Sequence, residues 1–175
     1  AGGVVGGAFL SAWGGPRKRV NGVLLGMLGT FLLGFTLMGV GTSTPVWVAA
    51  AFTILFFNPL INGSSQAIWQ SKVPPEVQGR VFSARALIAQ ISAPIAMAIT
   101  GPLTDGLLTP AMMPGGSLAP LFGWAVGTGA GAGPALLFLL MGVAGGATSL
   151  GAFLFPHIRD VESIIPDYDA VASKS

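Results

Sequence analysis

Four long apolar runs, Val20 to Val40, Val46 to Val73, Phe82 to Leu108 and Pro134 to Pro156, divide this chain, and its basic residues fall only on alternate gaps between them. At ~1.5 Å rise per residue, each run is long enough to cross a hydrocarbon core that needs roughly 20 helical residues. Arg17, Lys18 and Arg19 occupy the first gap. Lys72, Arg80 and Arg85 lie in or beside the third, and Arg159 and Lys174 lie in the tail. The second gap, Gly41 to Pro45, and the fourth, Thr109 to Gly133, contain no Lys or Arg. Basic residues are retained on the cytoplasmic side of membrane proteins, so the first and third gaps and the C-terminus are expected to be cytoplasmic.

Composition excludes the main soluble alternatives. Only 8% of residues are charged and 52% are hydrophobic, whereas soluble domains average about 25% charged. The net charge of +2 sits at span ends, where topology accounts for it, and implies no nucleic-acid partner. With no cysteine, disulfides, thiolate metal sites and thiol nucleophiles are all excluded. No cofactor is implied, and the partner dictated by composition is the lipid bilayer. Residues 1–13 are apolar and lack the basic start of a signal peptide. They read as the distal half of a span that begins upstream, which makes the chain the expected C-terminal part of a larger membrane protein. The expected organisation is an all-α transmembrane bundle over 1–156 and a polar cytoplasmic tail over 157–175.

The spans differ in polarity. The first and last carry few polar side chains and can face lipid. The second places Asn58, Asn62, Gln66 and Gln70 four residues apart, which on a helix forms one slowly drifting stripe. An amide is costly in hydrocarbon, so this stripe is expected to face protein or a watery cavity. The third span carries Gln90, Ser92, Thr100 and Thr104, with Ser92, Ala96, Thr100 and Thr104 forming a second small, polar face. These residues predict two inner helices and two outer ones. Gly3 with Gly7, Gly22 with Gly26, and Gly142 with Gly146 have the small-xxx-small spacing that lets helices approach closely in a bilayer. Pro59, Pro94 and Pro102 are expected to kink or unwind the two polar spans. Within the fourth gap, Leu118 to Val126 is too short to span and predicts a short surface or re-entrant helix, with Trp124 as an interfacial anchor.

Asp105, the only carboxylate at an outer helix end, reads as a solvated residue closing the third span, with a proton-coupling role as the alternative. His157 reads as an interfacial residue after Pro156. No carboxylate falls mid-span, so a coupling acid for proton-driven transport would lie outside this chain. No Ser/His pair, HExxH or paired mid-membrane aspartates support an intramembrane enzyme.

The segment Trp13-Gly-Gly-Pro-Arg-Lys-Arg-Val20 followed by Gly22 resembles the degenerate second copy of the loop signature of the major facilitator superfamily, without that signature's upstream acidic residue. The segment from Asn58 through Gln66, Gln70 and Pro75-Glu76-Val-Gln-Gly79-Arg80 to Ser83 resembles helix ten and the following loop in the branch containing macrolide-efflux and enterobactin-exporter transporters. That resemblance continues through Met112-Met-Pro-Gly-Gly-Ser and Ile165-Pro-Asp-Tyr-Asp169. It implies the C-terminal half of such a bundle, with residues 1–13 ending helix eight and the four spans as helices nine to twelve. It further implies alternating-access export of an amphipathic small molecule, coupled to protons, in concert with an N-terminal half. On this reading Asn58, Asn62, Gln66, Gln70, Gln90, Ser92 and Thr100 line the substrate pathway, and Arg17, Lys18, Arg19, Glu76, Gly79 and Arg80 form the cytoplasmic gate. Pro75 and Glu76 suit a helix start, with Arg80 one turn on as an i, i+4 partner. A non-transporting membrane scaffold built from the same helices is the alternative reading.

Overall fold

The computed structural model describes residues 1–164 together with Asp167 and Tyr168; the sequence features at Lys174 and in the rest of the tail lie outside the described residues. Helices make up the architecture: α1 (Gly2–Trp13), α2 (Arg19–Val40), α3 (Thr44–Lys72), α4 (Pro75–Ala111), α5 (Ala119–Val126), α6 (Ala132–Leu154), α7 (Pro156–Arg159) and α8 (Val161–Ile164). There is no strand among the described residues. Four of these helices, α2, α3, α4 and α6, are long and apolar enough to cross a membrane. The chain is a multi-pass membrane protein, since a helix satisfies its own backbone polar groups where no water can.

The helix boundaries refine the expected spans. α3 ends at Lys72 because Val73 is extended (φ −101°, ψ 128°), the conformation favoured for a residue that precedes proline. α4 then begins at once on Pro75, with Glu76 in its first turn, not near Phe82. The polar residues Gln78 and Arg80 made this first part look like a loop, yet they belong to the helix. α6 stops at Leu154, short of Pro156, because Phe155 is extended (φ −89°, ψ 108°) ahead of that proline. The expected kinks fare unevenly. The helical pattern runs unbroken through Pro59 and Pro94, whereas Pro102 is followed by a wider π-helical turn over Leu103–Leu108. A second π segment, Gly29–Phe35, lies inside α2.

α2 is the centre of the bundle. It packs against α3 on one side and α6 on the other, while α1 packs on α3. Glycines set these contacts. A Cβ on Gly26 would fall 2.5 Å from Ile61 Cγ1, and one on Gly142 would fall 2.7 Å from Thr36 N and 2.9 Å from Phe31 O. Gly22 meets Ser64, and Gly146 meets Leu32, so both of these expected glycine pairs are true contacts. The third pair is displaced by one residue. Gly2 and Gly6 press on the backbone at Phe52 and Phe56, whereas Gly7 has open space. Gly2-Gly3 and Gly6-Gly7 satisfy the spacing twice over, and the direction of α3 selects one of the two.

α4 behaves differently. Every residue from 86 to 102 is exposed. The helix rejoins the bundle at its far end, where its π turn packs on α6. There Leu108, Met112, Ala132 and Leu136 form a small core, covered by Leu118, Phe122 and Val126. The fourth gap is therefore a folded cap, with α5 as the expected short helix and Gly129 N–H bonded to Met112 O at 3.1 Å. Trp47 and Trp124 lie at this end and Trp13 and Trp69 near the basic end. This gives an aromatic residue pair at each boundary of the spans.

Gly142→Leu should wedge α2 from α6, because the new side chain meets backbone that cannot yield. Overpacking of this kind costs about 1–3 kcal/mol. Thermal unfolding in detergent, followed by circular dichroism, should show a lower midpoint for Gly142→Leu and an unchanged one for Gly151→Ala, which has nothing within 4 Å.

Candidate functional site

Two regions bear the polar residues. The first is the amide stripe on α3. Asn58, Asn62, Gln66 and Gln70 are all exposed, on the face of α3 opposite Ala50 and Ser64, its buried residues. The helix does bring them to one face, and neither α1 nor α2 covers it. Asn62 Nδ2 donates to Asn58 Oδ1 at 2.8 Å and to Asn58 O at 3.0 Å. At the other end of the stripe Gln78 Nε2 donates to Gln70 O at 3.2 Å and Val73 O at 3.0 Å, holding the start of α4 against the end of α3.

Gln90, Ser92 and Thr100 lie on the exposed stretch of α4. The two hydroxyls do not need a polar neighbour. Ser92 Oγ donates to Ile88 O and Thr100 Oγ1 to Ala96 O, each at 2.7 Å, and Thr104 repeats the pattern on Thr100 O. A hydroxyl bonded back to its own helix loses most of its cost in lipid. The inference that these hydroxyls demand a wet or protein-facing surface is therefore weaker than for the amides of α3. The outer helix also departs from expectation: Ser149, expected toward lipid with Thr148, is buried and bonds to Gly145 O at 2.7 Å.

The second region is the basic end, where α1 and α6 finish and α2 and α4 begin. Gly14 and Gly15 both have left-handed backbone (φ 78° and 76°), and Gly14 N–H closes α1 on Leu10 O at 2.8 Å. Any other residue is strained there. This double turn delivers Arg17, Lys18 and Arg19 to the side of α3 where Arg19 Nη1 donates to Ala67 O at 2.6 Å. Lys18 forms a 2.7 Å ion pair with Asp160, between α7 and α8. Lys72 bonds both Glu162 O and Asp167, each at 2.8 Å. The start of the tail is thus clipped to α2 and α3 by two lysines, a pairing across the whole chain that no local sequence pattern signals.

The expected pair between Glu76 and Arg80 is absent: among the described residues neither takes part in an ion pair, and Gly79 beside them has open space around it. On an exposed first turn nothing holds the two long side chains together. The arginine that does join α4 to α3 is Arg85, which bonds Ser65 Oγ at 3.2 Å and stacks 4.6 Å over the Trp69 ring. Its spacing from Trp69 crosses a helix break, which hid it. Among the described residues, no three His, Asp or Glu side chains gather to hold a metal.

Three adjoining cavities open on this side. An apolar cleft of 410 Å³ lies between α1, α2 and α3. A mouth of 610 Å³ containing Arg17 and Arg19 shares Leu10 with it. A 260 Å³ pocket beside Lys72 and Asp167 shares both arginines. The amide stripe lines none of them. No protein family, no curated protein and no solved structure matches the chain, so the resemblance to the major facilitator superfamily stands on the residues quoted for it.

The lysine bonds hold the carboxyls of Asp160 and Asp167 below the ordinary value of 3.8. A carboxyl whose folded value is lowered adds stability that is present above its unfolded value and lost as pH falls through the folded one. Hydrogen-exchange protection of α7 and α8, corrected for intrinsic exchange, should hold from neutral pH to about 3.8 and vanish below it. Replacing Lys18 and Lys72 together by Gln should remove that protection at every pH.

Proposed function

We propose that this chain forms half of a secondary active transporter that exports an amphipathic small molecule by alternating access, with its basic end in the cytoplasm of a bacterial inner membrane. The observation that carries this reading is the amide stripe. Four amides on one exposed face of a membrane-spanning helix are too costly to leave in lipid. A partner helical half and a substrate path between the two halves would cover them, which is the arrangement of transporters built from repeated bundles. The exposed middle of α4, carrying Gln90, Ser92 and Thr100, would border the same space. The path offers amide and hydroxyl groups among apolar surface with no fixed charge, which suits a drug-like or siderophore-like molecule better than an ion. Proton coupling is part of the reading, with the coupling acid supplied by the other half.

The orientation follows from the grouping of Arg17, Lys18, Arg19, Lys72 and Arg80 at one end of the bundle. The tail clip and the arginine-rich turn then form the cytoplasmic face, where Glu76, Gly79 and Arg80 start the exposed helix.

Substituting Asn62 or Gln66 by Leu in the complete transporter should cut efflux by roughly tenfold or change the substrate range, a loss equivalent to ~1.4 kcal/mol at the transport barrier. Membrane insertion should be retained. Thr148→Leu, on an exposed position of α6, should have little effect. Equal tolerance of all three would favour the scaffold reading. Single cysteines at Ser43 and Ser117 should react with an impermeant thiol reagent applied outside intact cells, and a cysteine at Ser173 should not; reaction at Ser173 would reverse the orientation.

A further inference from the structure

The three adjoining cavities change character in one direction. The cleft between α1, α2 and α3 is walled by Phe9, Leu25, Leu33, Phe57 and Leu60 and lies along the spans. At Leu10 it meets the mouth, whose wall contains Ser11, Gly14, Gly15, Arg17, Arg19 and Ser64. No carboxylate lines that mouth among the described residues. Phe9, Trp13 and Leu33, on the cleft, are half exposed, so the cleft opens sideways toward whatever surrounds the bundle. Gly14 and Gly15 turn the chain at the edge of the mouth in left-handed backbone, which L side chains rarely adopt.

We propose that this hollow binds an anionic phospholipid, with its phosphate on Arg17 and Arg19 and an acyl chain in the cleft. Charge complementarity selects this occupant. Arg17 and Arg19 both line the mouth at the end of the spans, and an arginine fork matches the oxygens of a phosphate two at a time. Arg19 uses Nη1 on Ala67 O and keeps further N–H donors for a ligand. Among the described residues the mouth itself is lined by no acid, and the carboxylates of the adjoining pocket stand beside Lys72, which pairs with Asp167, so an ammonium or choline group seated in the mouth meets the two arginines first. Asp167 lies across Arg19, in the neighbouring pocket, where the Lys72 hydrogen bond and, to a smaller extent, the charge of Arg19 hold its carboxyl below the ordinary value. The tail therefore borders the headgroup position, and docked tail and bound lipid both use the same arginine. This site requires only that the chain spans a membrane and is independent of transport.

The test uses the full chain in detergent with Trp47, Trp69 and Trp124 replaced by Phe, so that Trp13 reports on the cleft. Brominated acyl chains quench a tryptophan they touch. Brominated phosphatidylglycerol is expected to quench Trp13 at concentrations about tenfold lower than brominated phosphatidylcholine of the same chain length, a difference typical of one charge-assisted contact pair. Arg17→Gln with Arg19→Gln should erase that preference. Glycerol 3-phosphate, the headgroup without chains, should not displace the lipid. Equal quenching by the two lipids overturns the proposal, as does a preference that survives the double substitution. Displacement by glycerol 3-phosphate at lipid-like concentration would mean a phosphate-ion site and would also overturn it. The comparison of the two lipids needs no arginine variant, so it remains decisive if the double substitution does not fold.

Discussion

Inside a bilayer the hydrophobic effect does not press helices together, because lipid chains are as apolar as leucine. What remains is contact: dispersion over closely matched surfaces and the few hydrogen bonds that cross between helices. The fold of this protein depends on that constraint at α2. Its glycines and those of α6 remove the side chains that would hold the axes apart. As a result Ile61 and Ser64 of α3 lie against one side of α2, and the glycines of α6 take Thr36, Phe31 and Leu32 on the other. The middle of α4, exposed from residue 86 to residue 102, lies outside these close contacts.

Polar groups follow the same economy. Along α4 and α6 the hydroxyls of Ser92, Thr100, Thr104, Thr148 and Ser149 turn back on their own helices. The amides of α3 and Gln90 of α4 remain to be satisfied from outside, with Asn62 and Asn58 pairing in part, and the buried Asn21 Oδ1, Thr30 Oγ1 and Thr109 Oγ1 have no hydrogen-bond partner among the described residues. Charges are kept to the ends, where they join the segments that water can reach: Lys18 to Asp160, Lys72 to Asp167, Arg85 to Ser65 and Trp69.

Hydropathy and the punctuation of basic residues were enough to read the four spans, the short helix over Ala119–Val126 and the shared face of Asn58, Asn62, Gln66 and Gln70. These depend on local pattern alone. The start of α4 was readable in principle from Pro75 and Glu76, but the polar residues of its first turns obscured it because they project beyond the apolar part. The choice of Gly2 and Gly6 over Gly3 and Gly7 was not readable, since both pairs have the same spacing and only the line of α3 distinguishes them. The lysine clips, joining residues far apart in the chain, required the folded arrangement. The Glu76 and Arg80 pairing was a correct statement of reach that solvent and entropy overrule.

Helix α4 is fastened to the rest of the protein at both ends and nowhere between. Arg85 and Gln78 secure one end, and the core around Leu108 and Met112 secures the other. A rod held in this way cannot swing free, but it can bow. Pro94 and Pro102 each remove one backbone bond from the free stretch, and the π turn after Pro102 leaves slack in the ladder at its upper fastening. Bending would therefore concentrate at these points and carry Gln90, Ser92 and Thr100 sideways while both anchors stay in place. The protein thus has one elastic element set into an otherwise close-packed bundle, with its compliance encoded by the two prolines.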